Sequence, residues 1–369
     1  MRTNQPGFGT LPDSTEAGAE FSTNSNSAPR NGSHPKQKPL LTVLSQQDCL
    51  DWQPPENLYL VGNGLITRGE IALIGGEPGI GKSRAALALA VAGAVGGNWL
   101  GVPVPHRFNS LIIQCENGRH RLKADFSALA DGGINLGEAV HVTDCPEVGL
   151  AFDRPQFREE VTNLCEQYSI GLVVIDPWTE ATQGDKKEDY QAALANIRAS
   201  LPKGDKAPAV VIVCHTRKPQ GQDRFTGRAL LHTIAGSYSI GSAARSVFVM
   251  QKVTDDSTDE RRVWTCCKAN NCEMPKPSAW KMGRADFQAI ANFDWNKWGQ
   301  DLKSSGRPPK ITENDFREFF ANGRRTTKAR AAEQLAEQFN CSPSAAYEAL
   351  KNHRDLLSKD ANELFSLKE

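Results

Sequence analysis

The stretch Gly76-Glu77-Pro78-Gly79-Ile80-Gly81-Lys82-Ser83 constrains this chain more than any other. It follows an apolar run at residues 70–75 and opens into an Ala- and Leu-rich run at 83–95. A short strand, a glycine-rich turn and a helix in that order belong to a parallel βαβ unit. Parallel sheets are covered on both faces, so their strands read as near-continuous apolar runs. Residues 110–115, 171–176, 209–215 and 246–251 have that character. Helical stretches are predicted at 119–130, 155–168 and 190–201. Such alternation predicts an α/β domain with a mostly parallel central sheet. Residues 262–268 and 279–291 are expected to extend it with antiparallel strands.

The flanks differ. Residues 1–40 are dominated by Ser, Asn, Gly, Pro and Thr. They cannot bury enough apolar area to offset their ordering entropy, so a disordered N-terminus is expected. Residues 41–300 make the α/β domain, and 301–309, ending in SSGRPP, read as a linker. Within 310–369, helices at 312–321, 327–339 and 342–353 precede a hairpin at 356–366. That pattern predicts a small C-terminal winged helix-turn-helix domain.

Bulk properties mostly exclude. The 43 basic and 43 acidic residues balance, so any nucleic-acid surface must be a local patch. The apolar runs are too short to cross a bilayer, so no membrane partner is expected. There is no basic segment followed by an apolar one near Met1, and nine unpaired-looking cysteines fit free thiols in a reducing cytosol. A cytoplasmic location follows. Cys266, Cys267 and Cys272 lack the C-x2-C pairs and companion histidines of a zinc site.

The glycine-rich stretch suits phosphate. Gly76, Gly79 and Gly81 let the backbone curl, with Glu77, Pro78 and Ile80 between them, so that N–H groups converge on an anion. The helix start at Ser83 and Arg84 adds free N–H groups and a positive dipole end. Lys82 is placed to reach β and γ oxygens, and the Ser83 hydroxyl to ligate Mg2+. ATP and Mg2+ are thus the expected ligands. Hydrolysis also needs a carboxylate near the metal, an orienter for water and a positive charge. Asp176, closing Leu-Val-Val-Ile-Asp, suits the metal. Glu116, after Leu-Ile-Ile-Gln-Cys, could polarise water, and His215, closing Val-Ile-Val-Cys-His, could sense the γ-phosphate. Arg245 is the candidate arginine finger acting on a neighbouring subunit. Lys268, Arg228 and Arg261 compete for that role.

In order, GEPGIGKS, IIQCENG with Glu116, LVVIDP with Asp176, VIVCHTRK with His215 and GSYSIGSAAR with Arg245 resemble the RecA-like AAA family ATPases. The small RepA-type hexameric helicases of plasmids typify that family. The resemblance covers about residues 55–275. It implies a RecA-like P-loop NTPase core, a homo-oligomeric, hexameric ring with ATP between subunits, and single-stranded DNA in the channel. By it, Lys82, Ser83, Glu116, Asp176, His215 and Arg245 take the roles given above. Cys214-His215 stands where many relatives carry a His pair. Mobile loops following the sensor line the channel in that family. Here the segment 218–234 carries Lys218, Arg224, Phe225 and Arg228, a basic stretch with an aromatic that suits single strands. The C-terminal 60 residues lie outside the resemblance. Arg324, Arg325, Lys328 and Arg330 precede a third helix, with Ser342, Ser344, Tyr347, Lys351 and His353, that would enter a major groove of duplex DNA.

The resulting expectation is Mg-dependent ATP hydrolysis coupled to DNA binding, translocation or unwinding, in replication or maintenance of a mobile element. The alternative is an ATP-gated DNA-binding regulator without helicase activity. A nucleotide kinase shares the cradle, but nothing here resembles an acceptor-binding lid.

Overall fold

A computed structural model describes residues 41–217, 225–235, 238–254, 256–284, 286–298, 311–321, 324–361 and 364–368. The expected disordered segment 1–40 and linker 301–309 lie outside these residues, as do Lys218 and Arg224. The chain divides into a unit ending at Gln53 and a second from Pro54 to Glu369. In the first, helix α1 (Gln46–Asp51) starts in a capping box: Asp48 N–H donates to the Ser45 hydroxyl, and Ser45 N–H to the Asp48 carboxylate.

In the second unit, a hairpin of β1 (Tyr59–Val61) and β2 (Ile66–Thr67) leads into β3 (Ile71–Gly76) and helix α2 (Lys82–Val95). A second hairpin, β4 (Gly97–Trp99) and β5 (Val102–Val104), precedes β6 (Asn109–Gln114), α3 (Arg119–Asp131) and β7 (Val140–Val142). Then come α4 (Pro155–Gln167), β8 (Ile170–Asp176), α5 (Lys187–Ala199), β9 (Ala209–His215), α6 (Tyr238–Ala243) and β10 (Ser246–Lys252). The last strands of this part are β11 (Arg261–Ala269), β12 (Ser278–Met282) and β13 (Phe287–Ala289).

Nine strands make one sheet in the order β13-β12-β11-β10-β3-β9-β8-β6-β7. From β10 to β7 all neighbours are parallel, and β11, β12 and β13 add on antiparallel. The fold is therefore the mixed α/β arrangement, with a mostly parallel central sheet, that a RecA-like core requires. Side chains alternate across each strand, and in the central strands β3, β8 and β9 both sets are buried. Val173, Ile175 and Ile212 enter one core with Trp178 and Ile197, whereas Leu172, Val174, Val211 and Val213 enter the other with Leu89 and Phe248. In the second core Trp99 meets Phe248 and Trp264 edge-on, at 5.0 and 5.2 Å between centroids. Its indole N–H donates to the Ala85 carbonyl at 2.8 Å, which ties the β4 hairpin to α2.

Differences from the sequence reading are local. The helix expected from residue 190 begins at Lys187, because the Asp189 carboxylate accepts the Lys186 backbone N–H and satisfies the first turn. The stretch 279–291, expected to add antiparallel strand, holds β12 and β13, folded back where Gly283 N–H donates to Asp286 O. The hairpins β1–β2 and β4–β5 and the short β7 carry too few residues for a periodicity signal. Part of the segment expected as a loop, Gly227–Thr233, is 3-10 helix.

Beyond residue 310, helices α7 (Glu313–Phe320), α8 (Lys328–Gln338) and α9 (Pro343–Asn352) precede an antiparallel pair, β14 (Leu357–Lys359) and β15 (Phe365–Leu367). Thr312, Thr327 and Ser342 cap the helices with their hydroxyls. Phe316, Phe319, Phe320, Leu335 and Leu350 close a separate small core. A bridge between Thr326 and Phe365 joins the start of α8 to the hairpin. No helix among the described residues is long and apolar enough to cross a membrane.

Phe248 is fully buried and is the ring that Trp99 and Trp264 share. Phe248→Ala is expected to cost about 3–5 kcal/mol of stability, seen as a lower urea midpoint at unchanged slope.

Candidate nucleotide site

β3 ends at Gly76 and α2 begins at Lys82, so the residues between must reverse direction within one short loop. Gly79 (φ 72°) and Gly81 (φ 109°) make that possible, in a region where L side chains are strained. At Gly81 a Cβ would also strike the Met282 sulfur. No side chain caps α2, so its first N–H groups stay free and turned toward the loop, which makes an anion site.

Other elements brace the loop from outside. Arg262 of β11 donates to the Ile80 carbonyl at 3.0 Å. Lys252 of β10 lies 3.5 Å from the Glu77 carboxylate. Arg84 donates to the Gly283 carbonyl at 3.2 Å, joining α2 to the β12–β13 turn.

Strand register supplies the opposite wall. Gly76 pairs with His215, and Gln114 with Asp176, so the carboxyl tips of β3, β9, β8 and β6 end side by side. Cys115 N–H extends the ladder to the Asp176 carbonyl at 3.1 Å, which sets Glu116 just past the tip. A cleft of about 460 Å³ results, lined by Pro78, Gly79, Gly81, Lys82, Ser83, Arg84, Glu116, Asp176 and His215. The structure thus gathers the expected glycine-rich loop and three strand-end residues. The same cleft is lined by Asn117, Arg121 and Met282, which the sequence reading missed. Asn117 directly follows Glu116, and Arg121 stands in the first turn of α3. Met282 arrives from far along the chain and has no local signal.

Lys82 is the hub. Its ammonium donates to the Glu77 carbonyl at 2.9 Å and contacts His215 Nδ1 at 3.2 Å. An ammonium has no lone pair to accept with, so Nδ1 accepts and the neutral ring carries its proton on Nε2. Burial pulls the pKa of Lys82 down, against the opposing pull of Asp176 and Glu116. Burial and then Lys82 pull His215 down. Asp176 is 3% exposed, and burial raises its carboxyl to about 6, although the Ser83 hydroxyl and Lys82 favour the charged form.

Asp176 Oδ1 is buried with no hydrogen-bond partner. An unsatisfied hard oxygen beside a serine hydroxyl fits a magnesium ion, which takes one or two protein oxygens and draws its other ligands from phosphate and water. Among the described residues no cluster of three or more His, Cys, Asp or Glu could hold a metal without such help.

Arg245 stands elsewhere. Its backbone N–H donates to Ile71 O at the first residue of β3, and its guanidinium lies 3.8 Å from the Glu70 carboxylate. The strand separates it from Gly76 by roughly 17 Å, beyond the reach of one side chain. Lys268 is committed to the carbonyls of Gly241, Ser242 and Ala244, and Arg261 to Asp259 at 2.9 Å.

A family model described as an AAA domain matches residues 35–221, a span that contains the loop, Glu116, Asp176 and His215. The chain belongs to the AAA domain family. That membership makes it a nucleotide-binding ATPase in the general sense of AAA domains. A search of curated proteins finds no match.

A raised carboxyl pKa also marks stability. Because folded Asp176 holds its proton more tightly than the unfolded chain does, its contribution is greatest near pH 4 and falls as pH rises to about 6. Asp176→Asn is therefore expected to stabilise the nucleotide-free AAA domain at pH 8 by up to about 3 kcal/mol, a gain that shrinks toward pH 4. Thermal unfolding of both proteins across that range reads it, and equal midpoints at pH 8 would refute the burial argument.

Proposed function

We propose that this AAA domain hydrolyses ATP with magnesium and couples turnover to DNA as an oligomeric, RepA-type helicase of a mobile genetic element. The observation that carries the hydrolytic step is the unpartnered Asp176 oxygen beside Ser83 and Lys82, with Glu116 in the same cleft. Ser83 and Asp176 would hold Mg2+, which when bound supplies charge neutralisation across the β- and γ-phosphates. The loop 76–84 cradles the phosphates with backbone N–H groups. Lys82 exchanges its contact with His215 Nδ1 for a phosphate oxygen. Glu116 orients a water that attacks the γ-phosphorus as the bond to the bridging oxygen breaks, leaving ADP and phosphate.

His215 is the sensor in this reading. Once Lys82 turns to phosphate, Nδ1 loses its donor and the ring must find another. The tip of β9 is joined to the returning chain by Arg217 N–H to Thr233 O at 2.7 Å and Ala235 N–H to His215 O at 2.8 Å. The expected channel segment 218–234 is therefore anchored at both ends beside the sensor, which supports a path from nucleotide to single-stranded DNA. Arg245, far from its own cleft and half-exposed, would serve a neighbour in a homohexameric ring.

We assign residues 41–300 to the ATPase and 310–369 to a winged helix-turn-helix. Lys328, Arg330, Ser344, Tyr347 and Lys351 are exposed there, and Arg324 lies over the Phe319 ring at 4.4 Å. This basic face supports duplex binding.

Steady-state ATP hydrolysis by the purified protein, with and without single-stranded DNA, tests the reading. Stimulation by single strands that vanishes in Lys82→Ala is expected. Turnover indifferent to single strands, with sequence-specific duplex binding through residues 310–369, would favour an ATP-gated regulator instead. For the finger, Arg245→Ala should lower turnover roughly a hundredfold or more. Mixing Arg245→Ala with Lys82→Ala subunits should then restore part of it. No recovery on mixing would place Arg245 outside the neighbour's site.

A further inference from the structure

Two cysteines that no motif connects meet at the edge of the nucleotide cleft. Cys115 follows the last residue of β6 and immediately precedes Glu116, and Cys145 lies in the segment after β7. Their sulfurs are 2.7 Å apart. A disulfide closes at about 2.05 Å, so a sub-ångström movement would join them.

The surrounding contacts hold the two segments in place. Gln114 N–H donates to the Thr143 hydroxyl at 3.2 Å, and the Gln114 side-chain amide to the Thr143 carbonyl at 2.8 Å. On the far side Arg119 donates to Asp144 at 2.7 Å. The cysteine pair sits between these ties, within the stretch that presents Glu116 and Asn117 to the cleft. Cys145 is exposed and Cys115 is partly covered.

We propose that Cys115 and Cys145 form a reversible disulfide when the protein meets a hydroperoxide, and that this bond suppresses ATP turnover by fixing the segment that carries Glu116. The second half rests on the hydrolytic reading of the cleft given above.

The chemistry balances with hydrogen peroxide as oxidant. The exposed Cys145 thiolate attacks the O–O bond, giving a sulfenic acid and releasing hydroxide, which takes up the thiol proton as water. Cys115 then attacks the sulfenyl sulfur, the S–O bond breaks, and the departing oxygen leaves as a second water with the Cys115 proton. Two thiols are oxidised to one disulfide and one peroxide is reduced to two waters. Cys145, the exposed member of the pair, is the one a peroxide reaches first, and the partly covered Cys115 closes the bond. A low-molecular-weight dithiol reverses the reaction by exchange.

The bond acts through freedom of movement. Glu116 must follow the γ-phosphate as it becomes metaphosphate-like and departs, and a misplacement of about 1 Å can cost two orders of magnitude. With residue 115 tied covalently to residue 145, the backbone beside Glu116 loses that adjustment.

The test uses the full chain, first reduced and then treated with hydrogen peroxide. Tryptic peptides 108–119 and 124–158 each contain one cysteine of the pair and no other. They are expected to appear joined, and to separate on addition of dithiothreitol. Turnover should fall roughly tenfold or more in the joined protein and return with the reductant. Cys145→Ser should keep its turnover under peroxide, and Cys115→Ala should also resist. Absence of the joined peptides under excess peroxide would overturn the proposal, as would full turnover in protein shown to be joined. A reduced protein that binds ATP yet never turns it over would sink the hydrolytic reading instead, with the joined peptides still deciding the disulfide.

Discussion

β3 lies between β9 and β10, and both of its faces are covered. The polar groups of the cleft are arranged around that burial. Strands packed on both sides can carry charge only where they end, because a charge midway would be buried without a partner. Register then decides which ends are neighbours. With Gly76 opposite His215 and Gln114 opposite Asp176, the ends converge on the loop that starts at Gly76. Lys82 is drawn into the middle, bonded to the carbonyl of its own loop and to the neighbouring strand's histidine.

The electrostatics of the cleft follow from the same burial. Asp176 is pushed toward its neutral form, and Lys82 and His215 are pushed toward theirs. Asp176 and Lys82 each oppose the other's desolvation, Lys82 adds to that of His215, and one carboxylate oxygen is left without a hydrogen bond. A cleft in that state is complemented by a ligand that brings both negative and positive charge, as a metal–phosphate complex does. The nucleotide reading therefore rests on an imbalance as well as on a motif.

The antiparallel strands hold the cradle's outer side. Arg262 on β11 and the β12–β13 turn contact the loop and α2 directly, and Met282 closes over Gly81. These contacts tie a segment remote in sequence to the nucleotide loop. Arg245 is placed at the other end of the sheet by the same strand direction that places Gly76 at the cleft. Strand polarity thus keeps Arg245 away from the cleft of its own chain.

Much of the site was legible before any coordinates. The loop 76–83, and the acid or imidazole closing each apolar run at 116, 176 and 215, are local patterns. A glycine that must take positive φ, or a carboxylate after four aliphatic residues, carries its reason in its neighbours. The five main parallel strands and the C-terminal helices were legible for the same cause, since periodicity and capping residues act over a few positions. Sheet order, register and the pairing of distant groups were not. Nothing near Cys115 announces Cys145, nothing near Gly81 announces Met282, and nothing near Arg245 says that it faces away from its own cleft. By itself the sequence determined which chemical groups stand at the strand ends and in the loop. Only the tertiary structure decided which of them meet, because contacts across a sheet are set by strand direction and register, and those depend on the whole core packing at once.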